Sequence, residues 1–407
     1  MKKRVFLGKI LGCLVGLLLV VILVLGSFGP AQAAAGAKPF KWPPVFRIGT
    51  SGTETTSFAS TNGWAPKLEA AIGGSVRVIP VGNEVLRYVR LTEGKDFELD
   101  SISSSEVAFA IEGEGGYADK RAHPMRVVWH HNDTPWGFVV RGDSKFKTLY
   151  DLKTKGVKVA VAMSSPAMTT VSEEALPAFI GWTKEEAAKN WVFVRLGSYS
   201  ENCKSVTEGK TDVSYVSPIS SVTYEMEAHP KKLRWLPMTV TDKAAWKRWL
   251  AVRPTTIPNN IDWGVQSAVG VDGLTSNFVY FSRPDVDQEM VYQLAKWLNE
   301  NFESYKSVHK AASRMSLKLF RSFLDYCPLP VAEGTVRYLK EIGQWTEKDD
   351  KWNREAVKLE DQWIKARNAA LDEAASKGVK VHWESKEYLD IMKKHTAGLP
   401  PFKARVD

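Results

Sequence analysis

Beyond residue 45 the chain alternates short apolar runs with longer stretches of mixed polarity, and each predicts its own kind of element. Apolar runs at 46–49, 76–81, 107–111 and 126–130, with 138–141 after them, have the length and composition of strands. Between them, 64–72 and 84–93 read as helices, the first as part of a helix-compatible run from about Thr61 to Ile72. Strands separated by helices predict a mostly parallel sheet. After Asp143 the alternation resumes, with a short helix at 149–152, a buried strand at 157–162, a helix ending at Phe179, and strands at 192–196 and 213–216. Beyond Pro237 the pattern is less regular. A helix is expected over 242–252, an irregular Pro/Asn stretch over 255–262, and strands over 267–271 and 277–281. Residues 285–302 predict an amphipathic helix, with Val291, Leu294, Ala295, Leu298 and Phe302 on one face. A last helix over 349–375 carries Trp352, Ala356, Leu359 and Trp363 on one stripe, which is expected to pack on the body.

The polar positions cluster where strands end. The first strand runs into Gly49-Thr50-Ser51-Gly52-Thr53-Glu54-Thr55-Thr56-Ser57, almost entirely glycine and hydroxyl side chains. Ser164-Ser165-Pro166-Ala167-Met168-Thr169-Thr170 repeats the theme in the second half, and Ser217-Pro218 closes a third strand. Each could be a tight polar turn and nothing more. In an open α/β sheet, however, ligands sit beyond the carboxyl ends of strands, where helix N-termini present free N–H groups. Three such turns in both halves predict a shared cleft for a small anionic molecule.

Charge and composition narrow the reading. Lys2, Lys3, Arg4 and Lys9 precede an apolar run from Ile10 to Leu25, and Ala31-Gln32-Ala33 offers a cleavage site, so residues 1–33 read as a signal peptide. The run is also long enough to remain as an inner-membrane anchor. Cys13 precedes the apolar core rather than following it, which excludes a lipoprotein box. Removing four basic residues takes the net charge from +9 to about +5, and no run of five or more Lys/Arg suggests nucleic acid. Cys203 and Cys327 form no CxxC pair; export permits a disulfide, but two isolated cysteines are more often buried and free.

Familiar catalytic signatures are missing. A nucleophile elbow needs Gly two places after Ser51, where Thr53 stands. His130 and His131 at a strand end point to opposite sides, a poor arrangement for one metal ion. GxGxxG and GxxxxGK[ST] do not occur. No cofactor is expected.

Several motifs taken together resemble a known family. They are Ile48-Gly49-Thr50, Ser105-Glu106-Val107-Ala108, Val139-Val140-Arg141-Gly142-Asp143-Ser144, Leu149-Tyr150-Asp151-Leu152-Lys153 and Arg337-Tyr338-Leu339-Lys340-Glu341-Ile342-Gly343, with a late strand and helix over 279–299. From about Val45 to Trp345 the chain resembles the TAXI-type solute-binding subunits of TRAP transporters. The resemblance implies an α/β, periplasmic-binding-protein-like fold of two doubly wound lobes joined by a hinge. Lobe one would comprise 45–139 and 268–345 and lobe two 140–267, with chain crossings near 139–142 and 255–271 and a helical C-terminal extension over 346–407. The family's first turn reads roughly GTGSTGGTYY; Gly49, Thr50, Thr53 and Thr56 match, while Glu54, Thr55 and Ser57 depart. Its second-strand TGGS becomes Val81-Gly82-Asn83-Glu84, and its lobe-two GSGT becomes Ser165-Pro166-Ala167-Met168. The fold therefore carries over better than the ligand.

The expectation is a non-catalytic, monomeric periplasmic receptor for a small carboxylate-bearing ligand (an amino acid or dicarboxylate), which it delivers to a TRAP-type permease. Gly49, Thr50, Ser51, Thr53, Thr56 and Ser105 are the candidate donors in lobe one, and Ser164, Ser165, Thr169 and Ser217 in lobe two. Trp136 and Arg141 lie near the crossing. Glu84, facing the cleft, would repel a second carboxylate and welcome an ammonium group. Two alternatives stand beside this reading: a membrane-anchored sensor or partner-binding scaffold, and a periplasmic enzyme on a two-lobed fold.

Overall fold

The computed structural model describes residues 40–405, so the signal or anchor expected at residues 1–33 lies outside the described residues. Strand β1 (Val45–Thr50) leads through helix α1 (Thr56–Ile72) to β2 (Ser75–Pro80), and α2 (Glu84–Thr92) returns the chain to β3 (Leu99–Ser103). Each helix start is capped by the polar turn before it: Thr55 accepts from the Phe58 N–H and Asn83 from that of Leu86. Helix α3 (Ser104–Glu112) and the long strand β4 (Arg126–Arg141) follow.

The next stretch holds β5 (Lys158–Ala162), α4 (Pro166–Thr170), β6 (Val192–Leu196), α5 (Tyr199–Lys204), β7 (Val213–Val216), α6 (Ser221–Ala228), β8 (Leu233–Leu236) and α7 (Lys243–Val252). Strands β9 (Ile257–Asn260) and β10 (Asp272–Ser282) return the chain to the first part of the sheet. Helices α8 (Gln288–Glu300), α9 (Glu333–Glu341), α10 (Glu347–Ser376) and α11 (Lys386–Thr396) complete it.

The strands form one open sheet in the order β2-β1-β3-β10-β4-β7-β5-β6, with β8 beside β4 and β9 beside β10. Its two wings are parallel, but every pairing of β4 and β10 is antiparallel, so the sheet is mixed rather than mostly parallel. Strand β4 pairs with β10 as far as Trp136, then with β7 and β8 from Gly137 onward. It joins the two sections of the sheet.

Four expectations change. Residues 126–130 and 138–141 belong to one strand, because the polar residues between them are buried and partnered. His131 Nδ1 lies 2.7 Å from Ser101 Oγ, and Asp133 Oδ1 accepts from Arg314 Nε at 2.7 Å. Residues 107–111 are helical, not extended: α3 is buried from Ser104 to Ile111, so it shows no amphipathic period to distinguish it from a buried strand. Residues 267–271 are turns. Strands β3, β8 and β9 were not anticipated; β3 reads Leu-Asp-Ser-Ile-Ser, too polar to stand out. Cys203 and Cys327 are buried free thiols.

The second section has a large aromatic core in which Phe179 packs edge-on against Trp246 and Trp249. In the first, Trp64 Nε1 donates to Tyr280 Oη at 2.9 Å. Helix α10 docks through Ala356, Glu360, Arg367, Ala370 and Ala374 rather than through its tryptophans, which stay half-buried. Among the described residues no helix is long and apolar enough to cross a membrane.

Candidate functional site

The carboxyl ends of the parallel strands from both sections meet at one cavity of about 90 Å³. Ser51 comes from the turn after β1, Thr56 and Ser57 from the first turn of α1, Glu84 from the start of α2, and Ser103 and Glu106 from the β3–α3 junction. The crossing strands add Asn132, Thr134 and Trp136 from β4, and Ser276 and Phe278 from β10. The second section contributes Ser164, Ser165, Ala167 and Met168 after β5, Tyr199 after β6, and Tyr215, Ser217 and Ser220 from β7 and its turn. Arg253, just past α7, also lines the space. Trp136 stacks on Tyr215, with ring centroids 4.9 Å apart and planes nearly parallel, giving the cavity an aromatic wall.

The two sections touch around this cavity. Thr56 Oγ1 donates to the Ile219 carbonyl at 2.7 Å, Ser221 Oγ to the Glu54 carbonyl at 2.7 Å, and the Glu84 N–H to the Ser164 carbonyl at 2.9 Å. Glu106 bridges the cleft by accepting from Ser165 Oγ and from the Ala167 N–H. The two sections are therefore bridged around the cavity in this structure.

Charge inside the site is concentrated. Arg87, fully buried, holds Glu84 and Asp100 and donates to the Val81 carbonyl at 2.8 Å, tying β2, α2 and β3 together. Burial nevertheless raises the Glu84 carboxyl to about 8, and raises Asp100 too, against the opposing pull of Arg87. Burial likewise raises Glu106, whose contacts are neutral donors: Ser165, the Ala167 N–H and Tyr117 Oη. Arg253 is only 5% exposed; burial lowers its pKa, and among the described residues its guanidinium makes one hydrogen bond, from Nη1 to the Ala167 carbonyl at 2.5 Å. Arg253 Nε, Ser57 Oγ and Ser217 Oγ are all buried without a hydrogen-bond partner among the described residues, and all three residues line the cavity. Buried donors are nearly always satisfied, so orphans gathered in one place mark a ligand position. A guanidinium and two hydroxyls suit an anionic group.

Of the residues expected from sequence, Ser51, Thr56, Glu84, Trp136, Ser164, Ser165 and Ser217 line the cavity. Six others do not. A Cβ on Gly49 would lie 2.8 Å from both Asp100 and Phe97, so its smallness serves packing. Thr50 is buried in β1, with Oγ1 donating to the Ser51 carbonyl, and Thr53 points outward to solvent. Ser105 shares a hydrogen bond with Thr255, while Thr169 turns back to the Ala162 carbonyl at 3.0 Å. Arg141, at the far end of β4, pairs with Asp143 in solvent. The cation of the site is Arg253 instead. Sequence reasoning passed over it because an isolated Arg after a Trp-rich helix carries no motif. Glu106 was hidden by reading 107–111 as a strand, although it sits in the quoted Ser105-Glu106-Val107-Ala108. Tyr199 and Tyr215 gave no signal beyond their places near strand ends.

Comparison with known proteins adds a family. The model of the NMT1-like family matches residues 75–343, more than half of the 407-residue chain. A comparison with curated proteins gives no match. Similar solved structures include a binding protein component of an ABC phosphonate transporter from Pseudomonas aeruginosa, at 12% identity and a TM-score of 0.44 over 82% of this chain and 99% of that one. PhnD1 from Prochlorococcus marinus, in complex with methylphosphonate, is 11% identical, with a TM-score of 0.44 over 74% of this chain and 100% of its own. The alkanesulfonate-binding protein SsuA from Xanthomonas axonopodis pv. citri, bound to MOPS, is 14% identical, with a TM-score of 0.40 over 75% and 92%. The chain belongs to the NMT1-like family.

Proposed function

We propose that this protein is an exported solute-binding protein that closes two lobes on a small carboxylate-bearing ligand, an amino acid or dicarboxylate, and hands it to a TRAP-type permease. The observation that carries the reading is the convergence of Arg253 Nε, Ser57 Oγ and Ser217 Oγ, buried and unpartnered, on a cavity built from both halves of the sheet. The lobes in this reading are residues 45–139 with 268–345, and 140–267, moving about β4 and the return to β10. The TAXI-like motifs and the membership in the NMT1-like family support a transport role, and the hydrophobic leader supports export to the periplasm. Ligand anions would be held by Arg253 and the hydroxyls, with Glu84 and Glu106 facing any ammonium group.

The volume of about 90 Å³ is below the roughly 300 Å³ of ordinary ligand pockets. A ligand must therefore enter with the cleft open and part the sections slightly when bound. That small volume also favours a second reading, a sensor or scaffold that closes with little or nothing inside. A thermal-shift screen of the protein against amino acids, dicarboxylates and keto acids separates the two. A true ligand at a hundred times its Kd adds about 2.7 kcal/mol and raises Tm by several degrees. Silence across the whole panel would overturn the transport reading and favour the scaffold.

A further inference from the structure

The segment beyond residue 343, where the family match ends, is not a passive tail. Arg367 of α10 is fully buried and reaches across to the body, where Nη2 donates to the carbonyls of Tyr117, Ala118 and Lys120 at 3.1–3.2 Å. Its guanidinium lies against Gly113, which has a φ of +77°; a Cβ there would come within 2.1 Å of Arg367 Nε. Tyr388 of α11 donates to the Ala118 carbonyl at 2.9 Å, and Asn368 both accepts from the Ala122 N–H and donates to its carbonyl.

The other side of this segment faces the cavity wall. Tyr117 Oη donates to Glu106 at 3.2 Å, and Gly115 lies against Pro166 of the opposite section, 3.2 Å from where its Cβ would be. The turn at 113–120 is thus held from behind by the C-terminal helices. From the front it supports the carboxylate that bridges the cleft.

We propose that the C-terminal segment is part of the binding device, with Arg367 as a positioning residue that sets Glu106 through the backbone around Tyr117. The proposal rests on the cavity being the ligand site. The guanidinium fork lets Nη2 hold the three carbonyls while Nη1 donates to Tyr388 Oη, two directions that the single ammonium of a Lys would not serve at once.

The test is hydrogen exchange by mass spectrometry on the full chain, comparing wild type with Arg367→Met, Tyr117→Phe and Glu373→Ala. Among the described residues the Glu373 carboxylate pairs with Lys377, Lys394 and His395, all within the C-terminal segment, so it controls for general loosening of that segment. In Arg367→Met, exchange at 113–120 and at the Ala167 amide, which donates to Glu106, should rise by about tenfold or more. Tyr117→Phe should raise exchange at Ala167 while leaving 113–120 unchanged, and it decides the matter if Arg367→Met does not fold. Glu373→Ala should change neither region. Wild-type protection at Ala167 in Tyr117→Phe, or in a folded Arg367→Met whose 113–120 turn has loosened, overturns the proposal. Calorimetric titration with L-glutamate and with succinate runs alongside, and either acid, if it binds wild type, should bind Arg367→Met about tenfold more weakly. If neither binds wild type, that result counts against these two ligands, and the exchange result still decides whether Arg367 positions Glu106.

Discussion

At the scale of single residues, the site is recognised by what its groups lack. Ser57 and Ser217 bury hydroxyls that no atom of the described residues satisfies, an arrangement that lowers the stability of the fold. Replacing either by Ala should leave Tm unchanged or raise it, while weakening ligand binding by about threefold to tenfold. Thermal melts with titrations of the same variants check both halves of that expectation. His130 makes a different point. It is buried in β4, with Nδ1 3.1 Å from Asn277 Oδ1 and its ring stacked on Phe323, and burial holds its pKa at about 3. An unfolded histidine titrates near 6.5, so below that pH the unfolded chain binds a proton that the folded one refuses. Stability is lost as pH falls from 6.5 towards 3, at up to about 1.4 kcal/mol per pH unit. The raised carboxyls act in the opposite sense, stabilising the fold as pH falls from about 8 for Glu84 and Glu112 and from about 7 for Glu360. The effect of His130 is therefore isolated by a variant: His130→Phe should lose about 2–3 kcal/mol less than wild type between pH 6.5 and 4.5, read from denaturant melts at each pH.

At the scale of elements, legibility followed exposure. Helices with one wet face, such as α8 and α10, announce themselves by period, and both fall where expected. Helix α3 does not, because all of its residues from Ser104 to Ile111 are buried between the sheet and the C-terminal helices. Its burial hid both the helix and Glu106. Of the stripe expected on α10 only Ala356 is buried, for a related reason. Hydrophobicity pointed to Trp352 and Trp363, but the buried face carries Glu360 and Arg367, whose hydrogen bonds to the Met125 N–H and to backbone carbonyls become visible only in three dimensions. The junction after α3 is correspondingly intolerant. Gly113→Ala adds a Cβ at positive φ against a buried guanidinium, and should cost about 2–4 kcal/mol from backbone strain and overpacking together. A denaturant melt of Gly113→Ala measures that cost directly.

At the scale of the whole molecule, the alternation of strands and helices and the hydroxyl-rich turns were enough to predict an α/β architecture with one cleft. The mixed pairing at the centre was not legible, since β4 carries His131, Asn132, Asp133 and Thr134 through the middle of the sheet, where sequence patterns expect apolar residues. Those residues partner with Ser101 and Arg314 and with one another, contacts made over long sequence separation. The seven expected residues that do line the cavity lie at strand ends or at the crossing, where topology alone puts them near a ligand. The cation could not be placed in that way, and Arg253 replaces Arg141.

The most direct test of this account is a calorimetric titration of wild type and Arg253→Met with the acid that gives the largest thermal shift. The account predicts one-to-one binding to wild type and a loss of about tenfold or more in Arg253→Met, the usual magnitude for a charge-assisted hydrogen bond in a buried site. Equal affinity in the two proteins, or no binding acid at all, would contradict it.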